Sequence, residues 1–147
     1  MEDMLQEIEE PVTANAPGQS VIAEQTAEVD DVISGAISGA ISALLREHNG
    51  QDVSLLDLRG MNNWTSFFII ATVSSKTHMD GLERHVKDFC RGNEIAILGS
   101  SRKSADDEWR LIDLGQIIIH LMNKRAREFY ELERLWTPIP ASHGNKD

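Results

Sequence analysis

Cysteine is nearly absent: Cys90 is the single one in 147 residues. An internal disulfide is therefore excluded, and a reducing compartment fits. No apolar run approaches the roughly 20 residues that a membrane-spanning helix needs. The N-terminus lacks a basic start and an apolar centre, so it does not read as a secretory signal. Residues 1–31 contain no Lys or Arg, which argues against a mitochondrial transit peptide. The expectation is a cytoplasmic protein with no membrane partner.

Basic charge is also scarce where a broad nucleic-acid binder would need it. The net charge is −10. Nine acids fall within residues 1–31, from Glu2 to Asp31, while the remainder holds fifteen acids and fourteen bases. The acidity belongs to the leader, and the rest is nearly neutral. Phosphate binding relies on clustered Lys and Arg, so no direct sequence-specific nucleic-acid partner is expected. A basic protein partner stays open.

Chemistry-bearing motifs are missing in turn. Neither G-x-G-x-x-G nor G-x-x-x-x-G-K-S/T occurs, so the usual glycine-rich phosphate cradles are absent. No H-x-x-x-H or C-x-x-C pair supplies metal ligands, and no G-x-S-x-G elbow presents a serine nucleophile. His78 and His85 share a helix seven residues apart, too few ligands for a metal site. Gly99 and Ser100, followed by Asp106, Asp107 and Glu108, have the residue types of a nucleotidyltransferase metal site. They fall on a polar loop beside Arg102 and Lys103, where solvation is the plainer account. Asp57 and Asp113 lie in similar runs, L-L-D-L-R and L-I-D-L-G. They are either paired carboxylates on neighbouring strands or the polar edges of two separate ones. Cys90 sits near a helix C-terminus, which disfavours a thiolate. No cofactor is expected.

What the chain does have is hydrophobic patterning. Residues 1–28 are rich in Glu, Ala and Gln, broken by Pro11 and Pro17, and low in aromatics. Such a segment buries too little to offset its ordering entropy, so it reads as a mostly disordered acidic tail. Val29, Ile33, Ile37, Ile41, Leu44, Leu45 and His48 predict a helix that stops at Gly50. Within it, Gly35 and Gly39 suggest either close approach to a neighbour or a loosely held helix. Val53–Arg59 predicts a strand. Phe67–Val73 is a near-continuous apolar run, the mark of a central strand covered on both faces. Ser74 and Ser75 offer N-caps for a helix from Lys76 to about Arg91. Glu94–Leu98 predicts a short strand, joined to Phe67–Val73 by a right-handed crossover if the two are parallel. Gly99–Glu108 predicts a loop. Trp109–Leu114 and Gln116–Met122, split only by Gly115, predict an antiparallel pair. A single helix from about Lys124 to Trp136 follows, with Ala126, Phe129, Leu132, Leu135 and Trp136 on its apolar face. The fold class is α/β, a mixed and roughly five-stranded sheet flanked by helices. The predicted domain spans 29–137, and 138–147 form a polar C-terminal tail. Trp109, Tyr130 and Trp136, large aromatics near charges, are the residue types that anchor protein interfaces, although Trp136, at the end of an amphipathic helix, fits a core position better.

Several blocks resemble the ribosomal silencing factor family, also called Iojap-like. They are L-L-D-L-R-G (Leu55 to Gly60), W-T-S-F-F-I-I-A-T (Trp64 to Thr72), S-S-K-T-H (Ser74 to His78), W-R-L-I-D-L-G-Q-I-I-I-H-L-M (Trp109 to Met122) and E-F-Y-E-L-E-R-L-W (Glu128 to Trp136). The resemblance implies a nucleotidyltransferase-like shape without catalytic residues, and a role that is not enzymatic. It implies binding to the ribosomal protein numbered fourteen in the large subunit, steric blockage of subunit joining, and repression of translation. It allows a homodimer when the protein is free. Carried over by motif, the partner-binding residues are Trp109, Asp113, Leu114, Met122, Tyr130 and Glu131. Ser66 and Gln116 depart from the family pattern, which often has Asp at both places. Nothing carries over to the acidic leader, for which one expectation is that it screens the domain from ribosomal RNA.

Overall fold

The computed structural model describes residues 17–61, 64–103 and 106–136. The chain divides into two units, Met1–Ile33 and Ser34–Asp147. Helix α1 (Pro17–Glu47) begins twelve residues before the expected start at Val29. Residues 17–28, read from the sequence as tail, are helical, in keeping with their Gln, Ala and Glu content. Residues 1–16 and 137–147, which include the whole of the expected C-terminal tail at 138–147, lie outside the described residues.

In the second unit, α1 leads through β1 (Gln51–Asp57), β2 (Phe67–Val73), α2 (Lys76–Gly92), β3 (Gly99–Arg102), β4 (Trp109–Asp113) and β5 (Ile117–Asn123) to α3 (Lys124–Tyr130) and α4 (Leu132–Trp136). One mixed sheet has the order β1-β2-β5-β4-β3. The β2–β5 pair is parallel, with Phe67 opposite Ile117 and Val73 opposite Asn123. The β1–β2, β4–β5 and β3–β4 pairs are antiparallel. All seven residues of β2 are buried, as the apolar run predicted for a central strand. Gly115, at φ 92°, makes the tight turn into β5, a backbone region open to glycine.

One face of the sheet packs on α1 and α2. Ile41 and Leu45 of α1, with Met79, Leu82, Val86 and Cys90 of α2, enclose Ile69, Ala71, Ile112, Ile119 and Leu121. The buried face of α1 is narrower than the predicted stripe. Ser34, Ser38, Ile41, Ser42 and Leu45 are buried, whereas Ile33 is half exposed. Small serines, not the glycines, face inward. A Cβ on Gly35 would meet only the tip of the Phe67 ring at 3.8 Å, and one on Gly39 would meet nothing within 4 Å. α1 closes in a Schellman turn: Gly50 N–H donates to the Leu45 carbonyl at 2.7 Å and Asn49 takes φ 71°. Ser75 caps α2, its hydroxyl accepting from His78 N–H at 3.0 Å.

Two sequence expectations are corrected. Glu94–Leu98 is not a strand; the edge strand is Gly99–Arg102, expected to be loop. Glu94 is left-handed at φ 57°, and Ile95 and Ile97 cover the core as an irregular segment. Ladder pairing begins only at Gly99 opposite Asp113. Cross-strand pairing with β4 overrides the poor strand propensity of Gly-Ser-Ser-Arg. α2 therefore leads from β2 to the far edge of the sheet, and the parallel neighbour of β2 is β5. The second correction is the helix expected over Lys124–Trp136. It is broken at Glu131, whose backbone is left-handed at φ 48°, ψ 53°. The break takes Phe129 out of the apolar face and leaves it 77% exposed.

Candidate functional site

The face opposite α1 and α2 is covered at one end by α3 and α4, over Ile70 and Met122. Trp109 opens β4 directly opposite Met122 of β5. Its indole Nε1–H donates to His120 Nδ1 at 3.0 Å. That bond fixes the tautomer: Nδ1 accepts, so Nε2 carries the hydrogen. Among the described residues Nε2 has no hydrogen-bond partner. Burial pushes the His120 imidazole down to about 4, with Lys103 adding to the effect, so the ring is neutral near pH 7.

The Trp109 ring lies 4.7 Å from that of Tyr130, and Tyr130 stands edge-on to Phe129 at 4.9 Å. Three aromatics thus run from the sheet out to the end of α3. Asn123 starts that helix, its side-chain oxygen accepting from Ala126 N–H at 2.8 Å. Arg127 holds it down. Its guanidinium donates to the Asp52 carbonyl at 2.6 Å, to Thr72 Oγ1 and Ser54 Oγ at 2.9 Å each, and to Glu133. One side chain so joins α3 and α4 to β1 and β2. A cleft of about 390 Å³ opens beside the aromatics, lined by Ala126, Phe129 and Tyr130. Lys103, Asp106 and the Glu108–Arg125 pair complete its lining.

The six residues carried over by motif fall into two groups. Trp109, Met122 and Tyr130 come together, with Glu131 next in chain at the left-handed corner. Met122 is fully buried, so it supports Trp109 from below and presents no surface of its own. Asp113 and Leu114 lie at the other end of β4, about 14 Å along the strand from Trp109 at ~3.4 Å per residue. Asp113 accepts from Gly115 N–H at 2.8 Å, and Leu114 packs toward the α1–α2 core. Spacing places Phe129 on the apolar face, because nothing in its own helix announces the break at Glu131. His120 is a buried core histidine held by the Trp109 hydrogen bond.

Of the carboxylates weighed for catalysis, Asp57, Asp107, Glu108 and Asp113 are otherwise engaged. Asp57 and Asp113 sit on β1 and β4, separated by β2 and β5, so they do not form a pair. Asp57 grips Arg59 at 2.7 Å, which holds its carboxyl below the usual range. Asp107 meets Arg110 at 2.6 Å, Lys76 at 3.0 Å and Arg102 at 3.3 Å. The Arg110 guanidinium beside it holds its carboxyl well below the usual carboxylate range. Arg110, itself buried, also meets Glu83 and Asp80 at 2.6 Å each. These are structural ion pairs that tie the start of β4 to α2. Among the described residues no group of three or more His, Cys, Asp or Glu is placed to hold a metal ion. No helix among them is long and apolar enough to cross a membrane.

Comparison with known proteins identifies the family. Residues 34–147 match the family model described as RsfS, ribosomal silencing factor during starvation. The ribosomal silencing factor of Treponema pallidum is 34% identical over 103 residues, covering 69% of this chain and 90% of that protein. The mouse protein named mitochondrial assembly of ribosomal large subunit protein 1 is 33% identical over 102 residues, covering 65% of this chain and 42% of that protein. A crystal structure of a Chromobacterium violaceum protein superposes with a TM-score of 0.63 at 25% identity, covering 76% of this chain and 95% of that one. The chain belongs to the ribosomal silencing factor family, and is a regulator of translation rather than an enzyme.

Proposed function

We propose that this protein binds the ribosomal protein numbered fourteen on the joining face of the large subunit and sterically blocks association with the small subunit. The observation that carries the proposal is the aromatic run from half-buried Trp109 to exposed Tyr130 and Phe129, braced underneath by His120, Met122 and Arg127. Aromatic anchors on a rigid base, ringed by charges of both signs, have the anatomy of a protein interface. Steric exclusion needs such a surface and no catalyst. The name of the mouse relative, which speaks of the large ribosomal subunit, points the same way. Trp109 and Tyr130 supply apolar area, with Met122 beneath them. Asp113 and Glu131 meet basic groups, giving orientation more than raw affinity. Leu114, partly buried beside the β4–β5 turn, adds apolar area next to Asp113.

The same reading places the protein in the cytoplasm and allows a homodimer away from the ribosome. It takes residues 29–137 as the binding domain and gives that domain the shape of a nucleotidyltransferase stripped of its catalytic groups. The test is subunit joining followed by light scattering, with purified subunits. Wild type is expected to suppress joining. Tyr130→Ala is expected to weaken large-subunit binding by about ten- to a hundredfold with its melting temperature nearly unchanged, since Tyr130 is 38% exposed. Joining that proceeds undisturbed at saturating wild-type protein refutes the proposal.

A further inference from the structure

We infer that the Phe129 ring and the cleft beside it form an additional anchoring seat for the partner protein, one that receives an apolar side chain. This deepens the proposed function and rests on it. Phe129 is 77% exposed, an unfavourable place for a ring that makes no inward packing. The left-handed corner at Glu131 puts it there: the backbone turns between Tyr130 and Leu132, so Leu132 points inward at 6% exposure while Phe129 stays out. A non-glycine residue is rarely held in that conformation. Such strain persists where the surrounding structure fixes it. Here the Glu131 carboxylate holds Arg134 at 3.0 Å, and Arg127 clamps both flanking helices.

The seat is continuous with the Trp109–Tyr130 surface. Its lining is apolar at Ala126, Phe129 and Tyr130, and charged at Lys103, Asp106 and the Glu108–Arg125 pair. An apolar centre with a charged surround is how protein interfaces are built. Single-stranded RNA is the competing occupant, because bases stack on exposed rings. RNA is disfavoured because Asp106 and Glu108 balance Lys103 and Arg125 in the cleft lining, whereas RNA binding requires a net positive track.

The experiment titrates the full chain, Phe129→Ala and Phe129→Glu against purified large-subunit ribosomal protein fourteen, and in parallel against a single-stranded RNA oligonucleotide. Both variants are also melted. The inference expects each to lose at least about tenfold in affinity for the protein, Phe129→Glu the more, with unchanged melting because the ring packs on no core. If wild type binds the ribosomal protein and both variants bind equally well, the seat is refuted while the proposed function stands. If wild type fails to bind the ribosomal protein, the proposed function and the seat fall together. RNA binding that depends on Phe129, without protein binding that does, also overturns the inference.

Discussion

His120 shows how much a single side chain settles. Its neutral ring accepts the Trp109 indole at 3.0 Å, and it is buried between that ring and Phe68, whose centroid lies 4.5 Å away. Burial lowers its folded pKa from 6.5 to about 4. The unfolded chain therefore binds more protons between those values, and stability rises with pH across the interval. The stabilisation is fully present above pH 6.5 and is lost as pH falls toward 4. Glu83, Glu133 and Asp107 also have lowered values, but theirs are contributions lost only below about pH 4.5. The window from 6.5 to 4.5 isolates the histidine. Denaturant titrations there should show wild type losing about 2 kcal/mol, while His120→Gln, which keeps an acceptor for Trp109, stays nearly flat. An equal slope in both proteins would remove His120 as the cause.

At the scale of elements, local signals were legible and long-range ones were not. The Ser75 cap, the apolar spacing of α2, the buried run of β2 and the Gly115 turn each announce themselves within a few residues. The edge strand did not, because Gly99–Arg102 has neither β-branched residues nor alternation, and only its partner β4 makes it a strand. Nor did the corner at Glu131, since glutamate carries no signal for a left-handed backbone. Missing that corner assigned Phe129 to the core. Large aromatics beside charges pointed to Trp109 and Tyr130, and the motif resemblance carried the same two over, yet it did not tell the fully buried Met122 from half-buried Trp109 and exposed Tyr130. Glycines separate the same two kinds of information. A Cβ on Gly39 meets nothing, whereas one on Gly50 meets the Leu45 carbonyl oxygen at 2.8 Å. Gly39→Ala is expected to stabilise by about 1 kcal/mol through helix propensity alone. Gly50→Ala is expected to destabilise, because the obstacle is backbone. Paired thermal melts decide both, and a stabilised Gly50→Ala would contradict the tight close of α1.

The whole molecule carries its charge unevenly. Removing residues 1–28 takes seven acids and moves the net charge from −10 to −3. If the leader screens the domain from ribosomal RNA, the shortened protein should bind non-specific RNA more tightly at low salt, and added salt should erase the difference. Filter binding across a salt series measures this, and identical curves for the two proteins would leave the leader without that role. The rest of the molecule divides its labour by face: α1 and α2 seal one side of the sheet, while the other ends in aromatic rings.

Arg127 gives that division a kinetic meaning. With its guanidinium spread over β1, β2 and α4, the short helices cannot swing independently of the strands. The rings are set before any encounter, and docking need not wait for a rearrangement. Arrival should then be limited by diffusion and orientation, and the lifetime of the complex, not the speed of its formation, becomes the quantity by which silencing is tuned.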